Sequence, residues 1–270
     1  MDNKKFNYIE LERGIYMKLN HTELMGFMYG CMLGDSSIHY GAYECKQINK
    51  DLIMFKYNII KKYIPSCNAK VYHKDEYIDK NGVHHNEVWV LRTSAHEFFK
   101  KLERKFYVNR KRIVPKDVLE KLTPLGYAIW FADDGTTVQV GYNETTHSCR
   151  SRRVELCTDR YTKEECEFIS NFLNNKFETT IIDRKRKGQF RVRFKTLSAQ
   201  YFLLMIEEYF YKYFPSLLYK MDMGYRNESL KNRMYVIEEY ESLYLKIKTH
   251  NSFIDRLSKK ELWYSLAYNT

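Results

Sequence analysis

An α+β fold built as two related halves is what the 270-residue sequence predicts, and three observations carry that prediction. A short apolar helical run that stops at an Asp before a small residue occurs twice, Leu24 to Ser37 (LMGFMYGCMLGDSS) and Leu125 to Thr137 (LGYAIWFADDGTT). The two terminal acids, Asp35 and Asp134, are 99 positions apart. After each run, β-type and helical segments alternate in the same order, and self-similarity with a period of about 100 residues marks an internal duplication.

The first run sets the geometry. Gly26, Gly30 and Gly34 recur every fourth residue and form one smooth stripe along a helix, where a second backbone can approach closely. If the two runs pack side by side and parallel, Asp35 and Asp134 meet at their C-terminal tips. The helix dipole already leaves partial negative charge there, at a cost of about 0.3–1 kcal/mol for each carboxylate, and the two acids repel each other as well. A cation is expected in the gap, and Mg²⁺ or Mn²⁺ suits it because such ions take one or two carboxylates and complete their shell with water and phosphate oxygens.

The elements follow in order. Residues 1–21 read as a polar lead-in, and Thr22 can cap the first motif helix. The stretch from Ser37 to Ile48 reads as a strand, or as a hairpin with Tyr40 and Gly41 at its turn. Lys50 to Tyr63 has a helical pattern stopped by Pro65. AKVYHKDEYI and HNEVWVLRT read as two strands around the turn signal Asp79 to Gly82. Ser94 with Glu97 forms a capping box that opens the helix AHEFFKKLERKFY. The connector Asn109 to Leu122 carries five basic residues and one Pro. Thr123 then caps, and Pro124 occupies the first position, of the second motif helix. TTVQVGY and RRVELCT, the latter opening on Arg152 and Arg153, read as strands. A capping box at Thr162 and Glu165 starts the next helix, TIIDRKRKGQFRVRFK reads as a hairpin, and LSAQYFLLMIEEYFYKYF as an apolar helix. Asn227 to Thr249 and a segment opened by Ser258 and Glu261 read as helices of a C-terminal extension.

Charge points to a polyanionic partner. The net charge is +11 and the pI about 9.1, and with no basic amphipathic helix beside an apolar anchor, nucleic acid is favoured over membrane. Part of the Lys, Asn and Tyr content can equally reflect AT-rich coding DNA. Arg184 to Lys195 holds seven basic residues and no acidic one (Arg184, Lys185, Arg186, Lys187, Arg191, Arg193 and Lys195). Alternation puts Arg191, Arg193 and Lys195 on one face and turns Val192 and Phe194 to the core. A basic two-stranded ribbon suits the DNA major groove, where Arg reads guanine and Lys holds phosphate; the bland alternative is an edge guarded by charge. The first-half counterpart, Lys70, Tyr72, Lys74 and Arg92, is less basic, so the expected target is asymmetric.

Several classes are disfavoured. The six cysteines, at 31, 45, 67, 149, 157 and 166, show no CxxC pair and no zinc spacing, and free thiols fit an intracellular, reducing compartment. No run approaches a membrane span of about 18–20 apolar residues, no phosphate-binding GxxxxGK[ST] loop is present, and the eight His residues form no HxxxH pair. A Met start followed by polar residues favours a free-standing or intron-encoded protein over an intein.

The paired motifs, with PKDVLEKLTPLGYAIWFADDG (Pro115 to Gly135) and FPSLLYKM (Phe214 to Met221), resemble the LAGLIDADG homing endonucleases of the single-chain, two-motif class, over about Thr22 to Met221. Ser36 replaces the first motif's final Gly, and Ile129 stands where Gly30 stands in the other copy, so a close approach there requires Ala128 and Ala132 to supply the small surface. The resemblance implies two pseudo-symmetric αββαββα halves with saddle-shaped antiparallel sheets: residues 1–108 and 123–221, joined by the connector 109–122 and followed by the helical extension 222–270. It implies a monomeric, Mg²⁺-dependent double-strand DNA endonuclease that cuts one strand per motif Asp and leaves short 3′ overhangs. Asp35 and Asp134 become the metal ligands, with the backbone carbonyls of Gly34 and Asp133 as further ligands and the Asp133 side chain in a supporting role. Lys220 and the pair Lys111 and Arg112 match the family's basic residues, and Gln47 matches a polar residue that orients solvent. No second-half Gln appears; Cys157 and Thr158 occupy that neighbourhood. Alternatives of the same fold are an intron RNA maturase and a non-cleaving DNA-binding regulator.

Overall fold

The computed structural model describes residues 17–143, 145, 148–184 and 188–221. The lead-in before residue 17, the extension 222–270 and the basic residues Lys185, Arg186 and Lys187 lie outside the described residues.

The first motif helix, α1 (His21–Leu33), is capped by Asn20, not Thr22: Asn20 Oδ1 accepts from Glu23 N at 2.9 Å, and Glu23 Oε2 accepts from Asn20 N at 2.8 Å. Asn with Glu three residues on is itself a capping box, so the helix starts one residue before Thr22. A tight hairpin follows, β1 (Ser36–His39) and β2 (Ala42–Gln47), with His39 opposite Ala42. Its two-residue turn needs positive φ at both positions, and Tyr40 (53°) and Gly41 (76°) supply it. Helix α2 (Lys50–Tyr63) stops just before Pro65. The two strands read from the sequence are each interrupted, giving β3 (Lys70–Lys74) and β4 (Tyr77–Ile78), then β5 (His84–His85) and β6 (Val88–Arg92). Helix α3 (Glu97–Phe106) is capped by His96, whose Nδ1 accepts from Phe98 N, while the Ser94 hydroxyl donates to Cys67 O. Ser94 is thereby taken out of the expected box.

The connector is structured. A small hairpin, β7 (Tyr107–Val108) and β8 (Lys111–Arg112), turns through Asn109 and Arg110, both at positive φ, and the short helix α4 (Lys116–Glu120) leads to the second motif helix, α5 (Pro124–Asp134). Thr123 Oγ1 accepts from Gly126 N at 3.2 Å, so the expected cap is present. Then come β9 (Gly135–Asn143), β10 (Ser148–Leu156), α6 (Lys163–Leu173) with its Thr162 and Glu165 capping box, β11 (Thr179–Asp183), β12 (Phe190–Phe194) and α7 (Thr196–Tyr213). A 3₁₀ turn, Pro215–Met221, ends the described chain.

Both four-stranded sheets are antiparallel and share one order, β1-β2-β6-β3 and β9-β10-β12-β11. Apart from the β4-β5 ladder and the connector's β7-β8 hairpin and α4, the order of elements is αββαββα twice, and the fold is α+β as the sequence predicts. One face of each sheet is buried under its helices, with Tyr43, Cys45 and Leu91 in the first half and Val154, Leu156, Val192 and Phe194 in the second. No helix among the described residues is long and apolar enough to cross a membrane.

The halves meet along α1 and α5, which pack in parallel. A Cβ added at Gly30 would lie 2.2 Å from the carbonyl oxygen of Gly126, and one added at Gly126 would lie 2.4 Å from that of Gly26. Backbone therefore touches backbone. The small surface on α5 is Gly126, with Thr123 facing Gly26 and Asp133 facing Gly34. Ala128 and Ala132 are not needed for it, and Ile129 is buried without blocking the approach.

Candidate active site

Parallel packing brings the two helix tips to one level, and Asp35 and Asp134 sit together there. Arg160, in the loop after β10, joins them: Nη2 donates to Asp35 Oδ1 at 3.2 Å and to Asp134 Oδ2 at 3.1 Å, while Nη1 donates to Gly34 O at 2.9 Å. The loop is anchored by the buried Tyr161, whose hydroxyl donates to Leu33 O at 3.1 Å. A guanidinium of the chain itself thus bridges the two acids.

The environment is unequal on the two sides. Asp134 is the more enclosed acid, its side chain 12% exposed against 37% for Asp35. Burial first, and the Asp35 charge second, push its pKa up to about 8, against the opposing pull of Arg160. Burial and a neighbouring like charge both disfavour the ionised carboxylate, and groups shifted in this way cluster at functional sites.

Beneath Asp35 lies a closed polar network. Gln47 Nε2 donates to Asp35 Oδ2 at 2.7 Å and to Asp133 Oδ1 at 3.1 Å, and Asp35 N donates to Asp133 Oδ2 at 3.2 Å. Lys56 Nζ, from α2, donates to both Asp133 oxygens at 2.6 and 2.7 Å; neither side chain has any exposure. Burial pulls the Lys56 pKa down, but the Asp133 carboxylate in contact outweighs this and holds the ammonium charged, with its pKa raised. The two charges compensate each other in the dry seam.

The basic residues expected at the tips are found on helix-end carbonyls. Arg112 donates through Nη1 to Gly34 O at 3.1 Å, through Nη2 to Ser36 O and to the Tyr107 hydroxyl, and its guanidinium lies over the Tyr107 ring. Lys220 Nζ donates to Ala132 O at 2.6 Å and Asp133 O at 3.3 Å, and burial lowers its pKa. Each cation thus offsets the negative end of one motif helix. Two expectations shift accordingly. The Gly34 carbonyl, expected as a ligand, already accepts from Arg112 and Arg160, which uses both its lone pairs, and the Asp133 carbonyl is engaged by Lys220. Lys111 is exposed on the opposite side of its strand, with its charge felt by Glu164.

The expected DNA-facing residues divide. Lys70, Tyr72, Lys74 and Arg92 are exposed on the first sheet; Lys70 and Arg92 are in register, and Arg92 pairs loosely with Glu44 at 3.8 Å. On the second sheet Val192 and Phe194 are buried and Arg191 and Arg193 face the other way, as alternation requires. Their charge is not free, which corrects the reading of an uncompensated basic ribbon. Arg193 donates to Glu155 Oε1 at 2.7 Å, and Arg191 holds Asp159 with three hydrogen bonds of 2.7–2.9 Å. Glu155 lies opposite Arg193 on β10, and a strand read alone does not reveal its neighbour. Lys195 is exposed and pairs with Glu178 at 3.4 Å, and Arg184 and Arg153 remain on the surface or partly so. The side chain of Arg152 lies outside the described residues.

Sequence reasoning missed Lys56 and Arg160. Lys56 had a signal, since it falls on the apolar stripe Leu52, Ile53, Lys56, Ile59 and Ile60 of α2, and a Lys there must be paired. Arg160 had none, because it sits in an aperiodic loop whose place depends on the other half.

A divalent ion fits the residues present. Asp35 Oδ1 and Asp134 Oδ2 already converge on one cationic group, Arg160 Nη2, whose place the ion would take, and hard oxygen donors are what Mg²⁺ takes. Asp35 and Asp134 would hold it.

A duplicated αββαββα chain with one acid at the tip of each packed motif helix defines the class, and comparison with known proteins gives the family. The chain belongs to the LAGLIDADG DNA endonuclease family, whose model matches residues 25–202. It is 23% identical over 209 residues to cytochrome b mRNA maturase bI2 of Debaryomyces hansenii, covering 74% of this chain and 73% of that protein. It is 30% identical over 134 residues to the probable intron-encoded endonuclease 1 of Wickerhamomyces canadensis, covering 49% of this chain and 54% of that protein. Among solved structures, the homing endonuclease I-WcaI bound to its DNA recognition sequence matches with a TM-score of 0.60 at 21% identity, over 82% of this chain and 94% of that one. This last likeness establishes the shared fold.

Proposed function

We propose that this chain is a monomeric, site-specific double-strand DNA endonuclease that uses Mg²⁺ or Mn²⁺ and cuts one strand with each motif acid. The observation that carries the reading is the meeting of Asp35 and Asp134 on a single cation at the tips of α1 and α5. Phosphodiester hydrolysis forms a bond from water oxygen to phosphorus and breaks the bond to the 3′-oxygen, so it needs an oriented water, charge neutralisation and a proton for the leaving group. A divalent ion held by Asp35 and Asp134 would activate water and neutralise phosphate charge. Gln47, with Nε2 committed to two carboxylates, presents Oε1 as the acceptor that orients the attacking water. Arg160, whose guanidinium sits between the two acids, would neutralise charge on a scissile phosphate brought to them. Lys220, with its lowered pKa, is the candidate donor to the leaving oxygen on the Asp134 side. The long asymmetric DNA target would lie across both sheets, with Lys70, Lys74, Arg92, Arg184 and Lys195 on its phosphates.

The test is incubation of the purified protein with a pooled plasmid library of cloned intron-insertion junctions, with and without Mg²⁺. Linearisation of a discrete subset with Mg²⁺ alone is the expected result; no cleavage at any junction counts against the reading. The similarity to a maturase supports a second reading, assistance to intron RNA folding by the same fold, which would appear as Mg²⁺-dependent splicing of the cognate intron RNA without DNA scission.

A further inference from the structure

The Asp133 carboxylate collects three donors besides its role in packing: Lys56 Nζ from below, Asp35 N from the opposite motif, and Gln47 Nε2 from β2. Two of the three belong to the working residues of the first-half site. An apolar pair of the same size would fill this seam as well, since buried ion pairs are seldom better for stability than packed hydrocarbon. What an apolar pair cannot do is accept the Asp35 amide or fix the Gln47 amide. With carboxylates of Asp35 and Asp133 both facing Nε2, only one orientation of the Gln47 side chain satisfies the hydrogen bonds.

Among the described residues no equivalent network supports the other acid. The position of Asp133 is taken in the first motif by Gly34, which has no side chain. The neighbourhood of Gln47 is taken in the second half by Cys157, whose backbone N donates to Asp134 O at 2.7 Å, and Thr158, whose hydroxyl donates to Phe190 O at 2.9 Å. The network is therefore one-sided.

From this asymmetry we infer that Lys56 and Asp133 act as positioning residues for the first-half site alone, holding Asp35 and Gln47 in register so that the strand served by that site is cut at full rate. The inference rests on the nuclease reading, and the experiment separates the two. The double variant Lys56→Met/Asp133→Leu removes both charges together and so leaves no unpaired charge in the seam, while withdrawing the acceptor from Asp35 N and Gln47 Nε2. Nicking of each strand is followed on a duplex recovered from the junction library, with the two 5′ ends carrying different fluorophores. Alongside, hydrogen exchange of the Asp35 amide is measured on the full-length protein without DNA. The expected result is that the ratio of the two strands' nicking rates shifts by at least tenfold and that Asp35 amide protection falls by a similar factor. A ratio within twofold of wild type, or unchanged protection at Asp35, overturns the inference. If the double variant does not fold, the single variant Asp133→Asn, which keeps one acceptor, is scored by the same two readouts and thresholds. Failure of the wild-type protein to cut any junction would instead remove the nuclease reading, leaving the exchange measurement as a test of the network itself.

Discussion

Asp134 links charge to both activity and stability. Replacing it with Asn should leave DNA binding intact while scission of at least one strand falls to background, measured on strand-labelled target; unchanged plasmid linearisation would refute its role. The sign of the pH effect follows from its pKa, raised from 3.8 to about 8. The folded protein keeps a proton that the unfolded chain releases, so the stability this group contributes is complete below about pH 3.8 and is lost as pH rises through about 8. In EDTA, the melting temperature of Asp134→Asn should therefore exceed that of wild type by a margin that widens from pH 6 to pH 9, and a margin that shrinks over that range would contradict the argument. Lys56 poses the opposite problem. Lys56→Met alone abandons a fully buried carboxylate and should cost about 3–5 kcal/mol, most of it recovered when Asp133→Leu is added, as read from denaturant unfolding.

The contact between the motif helices depends on glycine. With carbonyl oxygens so near the missing Cβ positions of Gly30 and Gly126, Gly30→Ala or Gly126→Ala must push the backbones apart at a cost of about 1–3 kcal/mol or more, visible in the urea midpoint. Cleavage should suffer beyond the stability loss, because the acids ride on those helices. The sequence made this element legible: the glycine stripe and the Thr123 and Pro124 start are local, as are the bounds of α2 and the Tyr40–Gly41 turn. Features that depend on a competing partner were not legible. Asn20 took the cap expected of Thr22 because its own Glu23 completes a box, and Ser94 lost its capping role to the Cys67 carbonyl. Arg191 and Arg193 looked free because Glu155 and Asp159 come from elsewhere in the chain.

Across the whole molecule, both sheets carry basic residues among the described ones: Lys70, Lys74 and Arg92 on the first, Arg191, Arg193 and Lys195 on the second. If about 6–10 phosphates are neutralised, target affinity should fall by about 10³–10⁵ between 50 and 200 mM salt, and Arg193→Ala should change that slope less than Lys70→Ala, since Arg193 is already paired. A flat salt dependence in a filter-binding or anisotropy titration would contradict this. The duplication was legible from the two motifs, and the equal sheet orders bear it out. What the motifs could not convey is that the halves are laced across their boundary. Tyr161 and Arg160 of the second half hold the last carbonyls of α1, and Lys56 of the first half neutralises Asp133 at the end of α5. A hybrid nuclease assembled by joining this first half to another relative's second half would strand an ammonium in a dry seam and leave a helix end without its clasp. Retargeting by recombination must therefore transplant Lys56, Asp133, Arg160 and Tyr161 as one inherited set, while the outer strands are free to be traded.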